Sequence, residues 1–299
     1  MKIGIIECPE DQFTRDIISK LGDFQVEALT FHAQQAPVSS DYRVILDRLS
    51  FRYLYLKEIM KGLALSGTYV INNPYAATAT NKLIDTRVFS RLGIPFPKTI
   101  ILPDMALKEE GDHFVAEPNW GEIAEQLGLP CILKPFDGYA WEDVYVVNSV
   151  EEMKNLHVSM KSRHIMLAQR LIRYRDYYRV YCINKRDVLF IKWIPRPFAM
   201  GEYLYSDLKP IEAIKDRLAE LTIQLNSALD LDVNVVEWCL DEEGQPWVID
   251  AFNEVPEVRQ ESLPPDYYCW IVDKFVACIK DKLDPSKRNR TIFFEPALV

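Results

Sequence analysis

Histidine is scarce in this 299-residue chain, cysteine never comes in close pairs, and no apolar run is long. Each shortage excludes something. The four histidines, His32, His113, His157 and His164, lack ligand spacing, which argues against a zinc site. The six cysteines, Cys8, Cys131, Cys182, Cys239, Cys269 and Cys278, form no Cys-x-x-Cys and fall mostly within apolar segments, the pattern of reduced, buried thiols in a cytoplasm. Spanning a bilayer takes roughly 20 apolar residues, so no transmembrane helix is expected. Met1 to Glu7 is too short for a signal-peptide core and reads as a buried first strand. Positive charge is also in deficit. Thirty-five Lys and Arg against 44 Asp and Glu leave a net charge of −9, the wrong sign for neutralising nucleic-acid phosphates. Eleven glycines, 18 prolines and 48% hydrophobic residues make an ordinary globular composition, neither fibrous nor disordered. At roughly 150 residues per domain, two compact units are the starting expectation.

Short β-type runs alternate with helical patterns, which points to a layered α/β architecture. Met1 to Ile6, Arg43 to Leu46 and Tyr69 to Ile71 read as strands. Asp11 to Lys20 reads as a helix, and Leu56, Ile59, Met60 and Leu63 recur at helical spacing. These make a small α/β unit over residues 1–75. After the Asn72-Asn73-Pro74 turn, the pattern predicts one helix from Ala76 to Leu92, stopped by Gly93 with Pro95 and Pro97 beyond. A central unit over 76–163 then holds a helix at Gly121 to Gly128, strands at Cys131 to Lys134 and Val144 to Val147, and a helix from Ser149. A third unit, 164–284, carries β-type runs at Ile165 to Leu171, Tyr177 to Ile183 and Asp187 to Trp193. A long helix, Ile211 to Leu229, leads to a hairpin of Val233 to Leu240 and Pro246 to Ala251. The helix Tyr267 to Leu283 closes it, and 285–299 reads as a loosely held tail.

Three segments carry charges that strands do not need. Lys134 ends the apolar strand Cys-Ile-Leu-Lys-Pro, where a cation either reaches water or meets an anion. Lys82 lies within the predicted helix, either on a solvated face or turned toward the same anion. In the hairpin, pairing Leu240 with Trp247 places Glu237 opposite Asp250, because cross-strand partners keep a constant index sum. Like charges so placed destabilise a sheet unless a cation sits between them, and Asn253 adds an amide oxygen nearby. That donor set suits Mg²⁺. A register one residue different would instead turn Glu237 to solvent. Arg179, Tyr181 and Ile183 share one strand face by the period of two. There Arg179 marks an anion site or protects an exposed edge.

Taken in order, these segments resemble the ATP-grasp superfamily, nearest to the type that includes the ribosomal-protein glutamate ligase, glutathione synthetase and D-alanine ligase. Asn81-Lys82 before Leu-Gly-Ile-Pro-Phe-Pro-Lys-Thr resembles the start of its nucleotide-binding region, and Ile-Leu-Lys-Pro-Phe-Asp-Gly its second lysine and phosphate loop. Leu-Ala-Gln-Arg-Leu-Ile resembles its interdomain strand, and Val-Ile-Asp-Ala-Phe-Asn-Glu-Val-Pro its metal-binding end. The likeness covers about Asn72 to Pro264. It implies an α/β fold with α+β subdomains: an N-terminal α/β unit, a small central lid and a C-terminal subdomain, with nucleotide between the last two. It also implies ATP with one or two Mg²⁺, or Mn²⁺ in their place. Lys82, Lys134 and Gly138 would meet the phosphates, with Gln169 and Leu171 beside adenine. Glu237, Asp250 and Asn253 would hold metal. Arg179 would face the reacting group, with Lys192 or Arg196 beside it.

The reaction so implied joins a small-molecule or peptide carboxylate to an amine through an acyl phosphate, releasing ADP and phosphate. Catalysis would be mostly positioning and electrostatics. A kinase on the same fold and a non-catalytic nucleotide-binding protein are the alternatives. No nucleic-acid or membrane partner is expected, and a homodimer is compatible. Arg259 is a candidate contact for a substrate carboxylate, which a guanidinium binds bidentately. Two features depart from the resemblance. The phosphate loop, Asp137 to Asp143, keeps only Gly138, so Tyr139 and Trp141 would form a covering lid unless Trp141 packs as core. Asp250 and Asn253 have two residues between them where one is common, an excess that a bulge could absorb.

Overall fold

The structure, a computed structural model, describes residues 1–7, 11–33, 35–104, 117–138, 141–196, 201–205 and 208–291. Cys8, His113, Tyr139 and the end of the tail lie outside them. Three sheets organise the chain. The first is parallel, in the order β2-β1-β3-β4, from β1 (Lys2–Ile6), β2 (Gln25–Ala28), β3 (Tyr42–Asp47) and β4 (Tyr69–Ile71). Its connections include α1 (Gln12–Lys20) and α2 (Leu54–Leu65). The Asp11 side chain caps α1 by accepting from Thr14 N–H at 3.1 Å.

The expected single helix from Ala76 to Leu92 is two: α3 (Pro74–Ala79) and α4 (Lys82–Leu92). Asn81 makes the break. Its extended backbone lets Oδ1 accept from Leu83 and Ile84 N–H, both at 3.0 Å, so it caps α4. Lys82 therefore stands on the first turn, not mid-helix. Gly93, at φ 65°, ends α4 in the left-handed conformation that glycine adopts without strain.

The central sheet is antiparallel in the order β5-β8-β6-β7, from β5 (Thr99–Ile101), β6 (Cys131–Pro135), β7 (Tyr145–Val147) and β8 (Met166–Arg170). Helices α5 (Trp120–Leu127) and α6 (Val150–Met160) cover one face, and among the described residues the core they enclose comes from 100–168. Where the chain crosses out of this unit, Arg170 N–H bonds Lys98 O at 2.9 Å.

The third sheet is antiparallel, β11-β10-β9-β12-β13. Its strands are β9 (Tyr174–Ile183), β10 (Asp187–Ile194), β11 (Glu202–Leu204), β12 (Val233–Asp241) and β13 (Pro246–Asp250). Alternation sorts β9 and β12 between two cores. Tyr178, Val180, Val236 and Trp238 face α7 (Lys215–Ala228), where Phe89 of α4 also packs. Tyr177, Tyr181, Val233 and Val235 face α8 (Pro265–Lys282). The other side of α8 meets the first sheet, with the Phe13 and Phe275 rings edge-on at 4.9 Å. One continuous core thus joins the first and third sheets.

The tail is not loosely held over 285–291. Asn289 is buried, accepting from Val70 N–H at 2.7 Å and donating to Val70 O at 2.9 Å, so it completes the outer edge of β4. Arg43 donates to Lys287 O at 2.7 Å. No helix among the described residues is long and apolar enough to cross a membrane.

Candidate active site

A narrow cleft between the central and third sheets is lined by Lys82, Asp85, Lys134, Gln169 and Asp250, together with Phe89 and Phe96. The break at Asn81 aims Lys82 into it. The Lys82 backbone N–H bonds Phe136 O at 3.1 Å, its Nζ donates to Gly138 O at 2.6 Å, and Nζ lies 3.6 Å from Asp250. Gly138 sits where a Cβ would come within 3.1 Å of Pro135, so a larger residue in the turn after β6 would press on that ring. Lys134, from β6, is buried at 8% exposure and donates to Ile249 O at 3.5 Å. Burial pulls its pKa down to about 8, against the attraction of Asp250.

One rung of the third sheet carries Arg179, Glu237 and Asp250 side by side, since Glu237 pairs with Arg179 on β9 and with Asp250 on β13. The expected opposition of the two carboxylates is present, but by another route. Leu240 pairs with Pro246, not Trp247, and a bulge between Glu237 and Trp238 adds Ile249 to β13 and restores the match. Burial holds the Glu237 carboxyl above its usual range, with Arg179 opposing the shift and Asp250 adding to it. Tyr177 hydroxyl donates to Glu237 at 2.6 Å, and Arg179 Nε lies 3.4 Å from it. Asn253 follows the strand end. Its Nδ2 donates to Val235 O at 3.0 Å, leaving Oδ1 as the atom it offers a ligand.

Arg179 is enclosed. Its guanidinium lies over Trp193 at 5.0 Å and Tyr203 at 5.6 Å, and donates to the Tyr203 hydroxyl. Glu257 lies 3.9 Å away and also pairs with Arg259, whose Nε donates to it at 2.7 Å. Arg259 thereby joins the cluster through a carboxylate of the chain itself. Lys192 reaches Asp176 at 2.7 Å, and Arg196 forms a surface pair with Glu202 at 3.1 Å. Gln169 donates to Thr99 Oγ1 at 2.8 Å on the cleft wall, and Leu171 follows just past the end of β8. Trp141 is 41% exposed, which excludes the core reading of that side chain. Asp143 of the same loop pairs with His164 at 3.3 Å.

The sequence reading missed Asp85, Tyr203 and Glu257. Asp85 had a signal, because it precedes Phe89 by four residues and so shares the buried stripe of α4. Among the described residues no three His, Cys, Asp or Glu side chains gather as a metal cluster, so a cation here would rest on two carboxylates and an amide.

No family model and no curated protein matches the sequence. Solved structures do. D-alanine–D-alanine ligase from Bacillus anthracis is 17% identical with a TM-score of 0.70, covering 95% of this chain and 97% of its own. A RimK domain ATP-grasp protein from Sphaerobacter thermophilus is 16% identical with a TM-score of 0.64, covering 94% and 99%. The ATP-grasp ligase PsnB, solved with a minimal precursor, is 14% identical with a TM-score of 0.62, covering 92% and 98%. The chain therefore has the ATP-grasp fold, an α/β architecture.

Proposed function

We propose that this protein is an ATP-dependent carboxylate–amine ligase that uses Mg²⁺. The observation that carries the reading is the pair of opposed carboxylates, Glu237 and Asp250, the second of which lines the cleft together with two lysines from other elements. Such an arrangement is costly in an empty protein and is repaid when a polyanion and a cation arrive together. The likeness to ligases solved with ATP, or with ADP and Mg, supports the same choice.

Glu237, Asp250 and Asn253 would hold the metal, an all-oxygen set that suits Mg²⁺ or Mn²⁺. When bound, that ion supplies charge neutralisation at the transferring phosphoryl group. Lys82 and Lys134 exchange the carbonyls of Gly138 and Ile249 for phosphate oxygens, and Gln169 and Leu171 flank the base. Arg179, oriented by Glu237 and Tyr203, presents positive charge to the acid. The substrate carboxylate attacks the γ-phosphorus and the bond to ADP breaks. The amine then attacks the acyl carbon, phosphate leaves, and the amine's extra proton passes to water. Positioning and electrostatics do this work, with no nucleophile from the protein.

Incubation with ATP, Mg²⁺ and pooled carboxylates and amino acids tests the reading. Phosphate release should require both an acid and an amine. A stable phosphorylated product formed without amine would make the protein a kinase instead. Calorimetric titration of Lys134→Ala with Mg²⁺-ATP should show no binding while the variant stays folded; wild-type affinity would remove the cleft from consideration.

A further inference from the structure

Asp85 has no part in the chemistry above, yet it is among the most buried charged-type residues of the protein, at 2% exposure. It sits on the first turn of α4, three residues after Lys82, and its side chain lines the cleft. Its Oδ1 is enclosed and has no hydrogen-bond partner. The nearby cations do not pair with it: Lys82 is engaged with Asp250 and Gly138, and Lys134 with Ile249. A carboxylate left this way would lose its hydration and gain no donor in exchange. A neutral carboxylic acid avoids most of that cost and carries an O–H to give.

Resting on the reading of the cleft as a nucleotide site, we propose that Asp85 is a third phosphate-binding group, a neutral carboxyl that donates its proton in a hydrogen bond to a phosphate oxygen of the nucleotide. Lysines alone bring charge; a donor fixed on a helix adds direction. The electrostatics agree. Burial foremost, then Asp250 across the cleft, raises the Asp85 pKa to about 8, against the pull of Lys82 and Lys134. Those three charged groups face it, from α4 itself, from β6 and from β13; Gln169 on β8 is neutral. An arriving phosphate is a further negative charge and favours the protonated form more strongly. As pH rises above about 8 the empty protein loses the Asp85 proton, and the carboxylate then repels the ligand.

Calorimetric titration with Mg²⁺-AMPPNP, and with adenosine as a ligand lacking phosphate, tests this in wild type, Asp85→Asn and Asp85→Leu. The amide keeps a donor, so Asp85→Asn should bind AMPPNP within about twofold of wild type at pH 7. Asp85→Leu should bind it about tenfold or more weakly, the loss of a hydrogen bond to a charged acceptor, with adenosine unaffected. At pH 9 wild type should bind AMPPNP up to about tenfold more weakly than Asp85→Asn, because one pH unit above the pKa leaves about a tenth of the carboxyls protonated. Lys134 titrates in both proteins, and the Asp85 carboxylate favours its charged form in wild type, which narrows that ratio rather than widening it.

Three results would overturn the proposal: a tenfold loss in Asp85→Asn at pH 7, wild-type affinity in folded Asp85→Leu, or a wild-type to Asp85→Asn ratio equal at the two pH values. If Asp85→Leu does not fold, the pH comparison still decides. Failure of wild type to bind AMPPNP at all is a separate outcome. It would refute the nucleotide site itself, and this inference with it.

Discussion

Lys134→Met should make the protein more stable while abolishing nucleotide binding at the proposed site. The methionine keeps most of the lysine's length and apolar stem, and removes an ammonium held at 8% exposure with one weak bond to Ile249 O. The ordinary lysine pKa of 10.5 falls to about 8 in the fold. At 1.36 kcal/mol per pH unit that difference costs about 3 kcal/mol whenever both folded and unfolded chains carry the proton. Because the folded pKa is the lower one, the cost is complete below about pH 8. It shrinks as pH rises and disappears above 10.5, where neither state is charged. The variant should therefore gain up to about 3 kcal/mol over wild type at pH 7 and about half as much by pH 9.5. Urea unfolding at the two pH values, with the slope checked for constancy, measures it. A variant less stable than wild type at pH 7, or a difference that does not narrow with pH, would show that Lys134 is not strained by burial.

Asp250→Asn should leave ATP binding within about tenfold, or ~1.4 kcal/mol, yet remove most turnover, since an amide offers an oxygen without the charge; ADP release at saturating Mg²⁺ reads this, and unchanged turnover would make the carboxylate pair structural. Asn81→Ala removes a cap shared by two N–H groups and should cost about 1 kcal/mol, lowering Tm by a few degrees. Because Lys82 is the next residue, AMPPNP affinity should fall as well, whereas a purely local cap would leave it unchanged. Asn289→Ala leaves the Val70 N–H and C=O unpaired at a buried sheet edge and should cost about 1–3 kcal/mol. Hydrogen exchange at Val70 should speed up; equal protection would mean that the tail does not hold that strand.

The long strands were legible because side-chain period and burial agree in them. Tyr177 to Ile183 alternates between two cores just as its residues alternate in sequence. Short elements were read unevenly: β4 and β7 stood out as apolar runs, whereas β2, β5 and β11, of three or four residues each, are too short for any period to register. The carboxylate pair was reached from a pairing that is off by one, since a bulge has no mark in sequence; Ile249 looks like any strand isoleucine. Asn81 was passed over for the opposite reason. Its neighbours keep helical spacing across the break, so periodicity ran through a residue whose side chain competes with the helix and stops it. Arg259 was foreseen as a partner for a substrate carboxylate, but nothing in sequence announced that Glu257 would occupy it. The hold of Asn289 on β4 joins residues 219 positions apart and was invisible for that reason.

Residues 99–170 leave and rejoin the rest of the chain at neighbouring points, pinned together by the Lys98–Arg170 bond, and enclose a core to which, among the described residues, no other segment contributes. In mechanical terms this is an inserted leaf on a two-strand hinge. The first and third sheets are fused through α8 and form its fixed frame. Lys82, from the frame, grips the leaf at Phe136 and Gly138, while Lys134, from the leaf, grips the frame at Ile249. Each grip is a lysine on a backbone carbonyl, worth on the order of 1 kcal/mol. A ligand that claims both ammonium groups therefore replaces the clasps by which the empty leaf is shut. Tight closure then becomes a property of the occupied protein, and the frame need not deform to admit or release what it binds.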